Sequence, residues 1–242
     1  MDPAGLARLL VLIALVGAFL TVAELADPER LGFGAPSAKR DRAETTRHLA
    51  WLAAYFVVAP AVGWVAAALL RFTDRHAPLA GSVGEWPWMA RVALAVLVAD
   101  AAAYWLHRAM HASPVLWRLH VVHHRATEVR WWTSFRFHPL DTLLAHTVPY
   151  ALATVAGVGL DAVAVYVVAV MVVTLLAHAD VYMPGAWLRR LVVTPTFHRR
   201  HHEVAGDGSN FALVLPVFDA AFRTAWFAPA SRRRFGVGGA QQ

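Results

Sequence analysis

The chain has 242 residues, of which 58% are hydrophobic, and a formal net charge of +6. Its mean hydropathy of +0.47 is higher than that of an ordinary soluble domain and indicates an integral membrane protein, and we expect no nucleic-acid partner. The sequence has no cysteine. This excludes disulfides, cysteine-ligated zinc and iron–sulfur clusters, and leaves nitrogen and oxygen as metal ligands.

Four apolar stretches predict an all-α bundle of about four to five membrane helices. The first resembles a signal peptide, but we expect a retained anchor because the topology uses it as a span. The next two are long enough to cross a hydrocarbon core of about 30 Å. The last is longer than one span needs, and Gly157 and Gly159 near its middle predict a hairpin of two short helices. The four stretches are residues 6–22, 49–70, 89–106 and 143–176.

The basic residues are distributed unevenly around these stretches. Most of the 22 lysines and arginines lie in three polar segments, 24–48, 107–140 and 180–242. The positive-inside rule places these segments on the cytoplasmic side, and the strong preference for arginine over lysine is typical of a GC-rich bacterial genome. We therefore expect one domain, residues 1–242, in a bacterial inner membrane, with a histidine-rich helical cap on the cytoplasmic side.

Three histidine motifs lie in these polar segments. Residues spaced i, i+3 and i+4 share one face of a helix, and Ser113–Pro114 and Thr194–Pro195 are typical helix starts. Clustered imidazoles pack poorly when neutral and repel when charged, so the pattern predicts a bound metal ion. The motif residues are His107, His111, His120, His123, His124, His198, His201 and His202.

Two further histidines extend the candidate ligand set to ten. His138 precedes the fourth apolar stretch, and His178 ends it; a hydrogen-bonded residue at a helix start is the alternative for His138. Ten imidazoles exceed the needs of one ion, so we expect a pair of metal ions at a cytoplasmic site. The His-Glu-x-x-His pattern of hydrolytic zinc enzymes is absent, which favours redox-active iron.

These motifs resemble the histidine boxes of the fatty acid hydroxylase/sterol desaturase superfamily over residues 90–225. The flanking segments 135–141 and 210–224 match as well. The resemblance implies a membrane oxygenase with two iron ions, which uses O2 to hydroxylate or desaturate an unactivated C–H bond of a sterol, sphingoid or fatty acyl lipid. Ala212 and Arg223 stand where that superfamily usually has glycine.

Two polar residues outside the boxes are candidates for supporting roles. Asp100 lies two helical turns before His107 and could orient a ligand imidazole; a buried Asp–Arg pair is the alternative. Asn210 could supply a weak oxygen ligand or a hydrogen bond, unless it is only a turn residue. No further catalytic residue is expected beyond the metal ligands.

Electrons for such a reaction need a separate source, because the sequence has no Gly-x-Gly-x-x-Gly fingerprint for a flavin or nicotinamide. We expect a ferredoxin or a cytochrome with its reductase, docking on a basic face that includes Arg199 and Arg200. Two other functions fit a histidine-rich membrane protein. One is a metal carrier or sensor, although a carrier needs polar ligands within its spans. The other is a zinc-dependent hydrolase or lyase.

Overall fold

The computed structural model describes residues 3–26, 41–181, 183, 185–204, 208–227 and 235–237. Residues 27–40 of the predicted polar linker and most of the basic C-terminal segment after residue 227 lie outside these ranges. Within them, every regular element is a helix, apart from one isolated β-bridge between Glu203 and Phe235. The all-α prediction is confirmed for this part of the chain.

Nine α-helices are described. Two 3-10 turns, Trp131–Phe135 and Leu188–Arg190, lie between them. The helices are α1 (Pro3–Ala26), α2 (Arg42–Arg75), α3 (Ala80–Val83), α4 (Trp88–Ala112), α5 (Pro114–His124), α6 (Pro139–Val155), α7 (Leu160–His178), α8 (Pro195–His201) and α9 (Val217–Ala221).

Three of these helices, α2, α4 and α7, are long and apolar enough to cross a membrane. Helix α1 contributes a shorter apolar segment, Val11–Ala26, and α6 has 17 residues. The predicted hairpin separates α6 from α7 at Gly157 and Gly159, both with φ of +82°. Its second arm has 19 residues and is long enough to span, whereas the sequence predicts two short helices.

The long helices alternate in direction, so that α1, α4 and α7 end where α2 and α6 begin. At the opposite end, Thr73 of α2 hydrogen-bonds Thr154 of α6, with the two hydroxyl oxygens 2.6 Å apart. Arg91 of α4 forms a bidentate ion pair with Asp161 of α7, with both N–O distances at 2.9 Å. All the histidine motifs therefore lie at the end away from this ion pair.

Side-chain caps start the helices of the histidine-rich cap, as the sequence predicts. The Ser113 hydroxyl accepts from the Leu116 N–H at the start of α5, and the Thr194 hydroxyl accepts from the Phe197 N–H at the start of α8. A proline occupies the first turn of each helix, where its missing N–H costs no hydrogen bond. These starts fix the angle at which each helix presents its imidazoles.

Buried carboxylates join the first two helices to the cap. Glu24, at the end of α1, is fully buried and accepts from Arg130 and from the backbone N–H groups of Trp131 and Asp180. Glu44, in the first turn of α2, pairs with Arg136 at 2.8 Å. Because a buried charge without a partner is costly, these pairs hold the segment 130–136 against the end of α1 and the start of α2.

A histidine-lined candidate metal centre

Nine of the ten candidate histidines converge at one end of the bundle, in two groups. Within each group, every residue places one ring nitrogen within 4.8 Å of the others. His111 is half-buried and the other eight are buried. The first group contains His107, His111, His120, His124 and His201, and the second contains His123, His178, His198 and His202.

Each His-x-x-His-His motif contributes to both groups. In α5 the i and i+4 residues, His120 and His124, belong to the first group, and His123 belongs to the second. In α8 the assignment is exchanged, since His201 alone belongs to the first group. Neighbouring residues point about 100° apart on a helix. The three histidines of a motif therefore diverge and belong to two groups, although they lie on one broad face of the helix.

The two groups touch each other. The rings of His124 and His202 stack with their centroids 4.6 Å apart, and those of His123 and His124 lie 5.6 Å apart. One continuous imidazole cluster therefore has room for two neighbouring centres.

In the second group the Nε2 atoms crowd together. The Nε2 of His178 lies 3.1 Å from the Nε2 atoms of His123, His198 and His202. A neutral imidazole has one N–H and one lone pair. Hydrogen bonds among these rings therefore cannot satisfy all of the contacts, whereas a cation can accept all of the lone pairs.

The first group leaves buried nitrogens without a protein partner. The Nε2 atoms of His107 and His120 are 3.1 Å apart, and those of His111, His124 and His201 have no hydrogen bond. Unpaired buried polar atoms are rare and costly. Their clustering around a common point fits a metal ion.

Acceptors outside the cluster orient four of the rings. The Nδ1–H groups of His107, His201 and His178 donate to the carbonyl oxygens of Phe211, Ser209 and Thr174, each at 2.8 Å. A carbonyl oxygen can only accept, so the proton is on Nδ1 and the Nε2 lone pair faces the cluster. This is the tautomer that a metal ligand requires.

The fourth oriented ring is that of His120, whose Nδ1–H donates to Asp141 Oδ2 at 2.9 Å. Asp141 is buried in the first turn of α6. A carboxylate behind a histidine fixes its ring and raises its basicity toward a metal. Sequence inspection missed this role, although Asp141 closes the segment 135–141 that resembles the superfamily.

Burial also favours the neutral form of five histidines of the cap. It is the largest cause that lowers the pKa values of His123, His124, His198, His201 and His202 well below the ordinary value of 6.5, and the neighbouring imidazoles lower them further. Neutral imidazoles have free lone pairs at physiological pH, as metal binding requires.

His138 does not join either group. It is the N-cap of α6, where its Nδ1 accepts a hydrogen bond from the Leu140 N–H at 3.2 Å. The alternative considered above, a hydrogen-bonded histidine at a helix start, describes its position. The two groups therefore contain nine of the ten candidate ligands.

Asp100 does not contact a clustered histidine. Its carboxylate accepts from the Tyr166 hydroxyl at 2.8 Å and from the backbone N–H groups of Val214 and Leu215. Asp219 holds the same segment through the N–H groups of Phe211 and Ala212. Asp100 therefore acts on His107 indirectly. It fixes the segment that contains Phe211, whose carbonyl oxygen orients the His107 ring.

Asn210 occupies a turn, and its side chain is engaged by backbone groups. It has φ of +59°, its amide donates to the carbonyls of Phe197 and Trp226, and its oxygen accepts from the Trp226 N–H at 2.6 Å. Arg223, which replaces a usual glycine, also has a positive φ of +58°. These two residues adopt turn conformations near the two ends of the segment 211–224.

The arginines proposed for donor docking are engaged within the protein. Arg199 is buried and pairs with Asp180 at 3.0 Å, and Arg200 is largely covered and pairs with Glu203. The basic docking face predicted from the sequence therefore does not include Arg199.

The chain is similar to several known proteins. The chain is 30% identical to an ornithine lipid hydroxylase of Rhizobium tropici over 58% of its own length and 43% of that protein's. It is 28% identical to a Delta(7)-sterol 5(6)-desaturase of Gibberella zeae, over 52% of this chain and 40% of that one. It is 34% identical to a very-long-chain aldehyde decarbonylase of Oryza sativa subsp. indica, over 65% and 27%.

The chain thus spans less than half the length of these relatives, and no solved structure gives a significant match. The family model for fatty acid hydroxylase matches residues 92–224, which is more than half of the chain and includes all nine clustered histidines and Asp141. The chain therefore belongs to the fatty acid hydroxylase family.

Proposed function

We propose that this protein is a membrane-bound di-iron oxygenase that hydroxylates or desaturates an unactivated C–H bond of a lipid. The observation that carries the proposal is the pair of adjoining imidazole groups, whose buried Nε2 atoms lack sufficient hydrogen-bond partners. Membership of the fatty acid hydroxylase family supports iron and O2 as the reactive components.

The chain's own residues prepare the site for these ions. His107, His111, His120, His124 and His201 would hold one iron, and His123, His178, His198 and His202 the other. Bound there, iron would supply the O2-dependent oxidising chemistry that no protein side chain provides. Asp141 and the three carbonyl acceptors hold the rings in place, and burial excludes water that would compete with the substrate.

The substrate class follows from the membrane helices and the relatives. An apolar bundle brings the site close to the acyl region of a bilayer, and two of the relatives are named for action on an ornithine lipid and a sterol. The names include both a hydroxylase and a desaturase. We therefore propose lipid C–H oxidation, with either outcome at the reacting carbon.

We infer the partners from the proposed reaction and the location from the distribution of charge. O2 and an external electron donor, a ferredoxin or a cytochrome with its reductase, would complete the reaction. The distribution of arginine supports a bacterial inner membrane with the histidine end facing the cytoplasm. Because Arg199 is buried, we expect the donor to dock through other basic residues.

Lipid mass spectrometry tests the proposed activity. Iron-loaded protein in vesicles of bacterial lipid, supplied with a reductant and O2, should produce a lipid that has gained one oxygen atom or lost two hydrogens. The same sample under nitrogen should produce none, and neither should His201→Ala. Identical lipid profiles with and without O2, in protein that holds its iron, would contradict the proposal.

A further inference from the structure

Four charged side chains lie in the interior next to the second histidine group. They form two ion pairs, one between Glu24 and Arg130 at 3.2 Å and one between Asp180 and Arg199 at 3.0 Å. Glu24, Arg130 and Arg199 are at most 3% exposed. Buried ion pairs contribute little net stability compared with apolar packing, so these pairs are explained better by a geometry that they hold.

Arg199 joins the end of α7 to α8. It follows His198 in the chain, and its guanidinium donates to the backbone carbonyl oxygens of His178, at 3.3 Å, and of Val129. The same guanidinium pairs with Asp180, two residues after His178. One side chain thus fixes the end of the helix that carries His178 relative to the helix that carries His198.

Both His178 and His198 belong to the second group of candidate ligands. Their Nε2 atoms lie 3.1 Å apart, and the four imidazoles of this group have to converge if they are to bind one ion. Metal ligands have to be held within about 0.5 Å of their productive positions. The contacts of Arg199 therefore bear on the spacing of two of the four ligands.

Glu24 holds the same loop from the side of α1. Its Oε1 accepts the Asp180 N–H at 3.1 Å and the Trp131 N–H at 3.3 Å, and its Oε2 accepts from Arg130. Asp180 is thus held twice, at its N–H by Glu24 and at its carboxylate by Arg199. A carboxylate of α1 therefore contacts the loop that leaves the second histidine group.

The preceding turns of α1 keep Glu24 in this position. The Trp131 indole N–H donates to the Thr21 hydroxyl at 2.9 Å, one turn before Glu24. Another turn earlier, the Trp131 ring lies so close to Gly17 that a Cβ there would be 2.6 Å from it. Helix α1 lies outside the residues that match the fatty acid hydroxylase family, 92–224, so these contacts are an addition to the matched region.

We propose that these four charged residues form a clamp that sets the spacing of His178 and His198, and that α1 is therefore part of the second metal site. The inference rests on the two metal ions of the proposed function, but not on the reaction that they carry out. The members of the clamp are positioning residues, because they act on the ligands through the backbone. They are Glu24, Arg130, Asp180 and Arg199.

Titration of the metal-free protein with Co²⁺ in detergent tests the clamp. Asp180→Ala should weaken the binding of one of two ions about 10- to 100-fold, as expected when a residue that supports a metal ligand is removed. Glu24→Ala should weaken the same ion. The matched control is Asp161→Ala, which breaks the ion pair with Arg91 at the opposite end of α7 and should leave both affinities unchanged. Asp180→Asn provides a milder change if the alanine variant does not fold.

Variants that lack one ligand show which ion the clamp supports. In His201→Ala, which keeps the second group intact, adding Asp180→Ala should weaken the remaining ion. In His202→Ala, which keeps the first group intact, the same addition should change nothing. The reverse pattern, or equal weakening in both backgrounds, would overturn the proposal. Glu24→Ala and Asp180→Ala together should cost less binding free energy than their sum, because both act through one loop, and full additivity would overturn the role of α1.

Hydrogen exchange in the metal-free protein provides a measurement that needs no ion. Glu24→Ala removes the acceptor of the Asp180 N–H, so exchange should become faster in residues 178–181 and in α8, and stay unchanged in α4. Unchanged exchange in those segments, or an equal rise in every helix, would overturn the clamp. Two tightly bound ions without lipid oxidation contradict the proposed function alone, whereas unchanged affinities in all clamp variants with retained lipid oxidation contradict the clamp alone.

Discussion

At the scale of single residues, the hydrogen bond from His120 to Asp141 orients one ring of the first histidine group. The carboxylate accepts a hydrogen bond from the Nδ1–H of His120, with an N–O distance of 2.9 Å, and so directs the Nε2 lone pair into the cluster. Asp141→Asn removes the negative charge while keeping the shape. We expect this variant to bind one of its two ions about 10- to 100-fold more weakly, as measured by competition with a chelator.

His138 provides the control for that prediction, because it lies three residues from Asp141 but caps α6. His138→Ala should lower stability by about 1 kcal/mol through the lost cap and retain both ions. Loss of an ion from His138→Ala, or full affinity in Asp141→Asn, would contradict the geometry described here.

Eight of the proposed ligands could be identified from motif spacing, since histidines at i, i+3 and i+4 rarely have another explanation, and His178 could be identified from its place at the end of an apolar stretch. Asp141 could not be identified in this way. It lies 21 positions from His120, and only the folding of α6 against α5 brings the two together. His138 could not be assigned from the sequence alone, because a capping histidine and a ligating histidine look alike there.

At the scale of elements, the α6–α7 hairpin depends on Gly157. A Cβ at this position would lie 2.6 Å from the backbone oxygen of Leu79. The φ of +82° is also unfavourable for any residue with an L side chain. Gly157→Ala should therefore destabilise the protein by more than about 1–2 kcal/mol. The measurement is thermal or denaturant unfolding in detergent.

Gly63→Ala is the matched control, with the opposite expected sign. Gly63 lies inside α2, where an added Cβ meets nothing within 4 Å, and alanine is favoured over glycine in helices by about 1 kcal/mol. Destabilisation by Gly63→Ala, or a neutral Gly157→Ala, would show that the hairpin does not pack as described.

The long apolar helices could be predicted from the sequence, but their extent and the number that can span a membrane, three in the described part of the chain, could not. Hydropathy detects only the apolar part of a helix, so α2 was predicted as residues 49–70, whereas it spans Arg42–Arg75. Helix α6 likewise begins at Pro139, four residues earlier than the apolar stretch. The additional turns are polar, and their contacts, such as Glu44 with Arg136, form only in the fold.

At the scale of the whole molecule, the buried histidines make stability depend on pH. In the unfolded chain a histidine has a pKa of about 6.5, and burial lowers this value in the folded state for His123, His124, His198, His201 and His202. Below about pH 6.5 the unfolded state therefore binds more protons, which favours unfolding.

We expect the metal-free protein to keep its full stability above about pH 6.5 and to lose up to about 1.4 kcal/mol per pH unit for each such histidine below it. Denaturant unfolding at a series of pH values measures this slope. His198→Gln, which removes one titrating group, should make it shallower. A profile that is flat from neutral to acidic pH would show that these imidazoles are accessible to protons in the folded state.

The central claim is that nine histidines from four helices hold two neighbouring iron ions. The most direct measurement is the iron content of the purified protein together with its ⁵⁷Fe Mössbauer spectrum. We predict two irons per chain, with the spectrum of a coupled pair, and a clear loss of iron in both His201→Ala and His202→Ala. A single ion, two magnetically isolated ions, or stoichiometric zinc in place of iron would contradict the account.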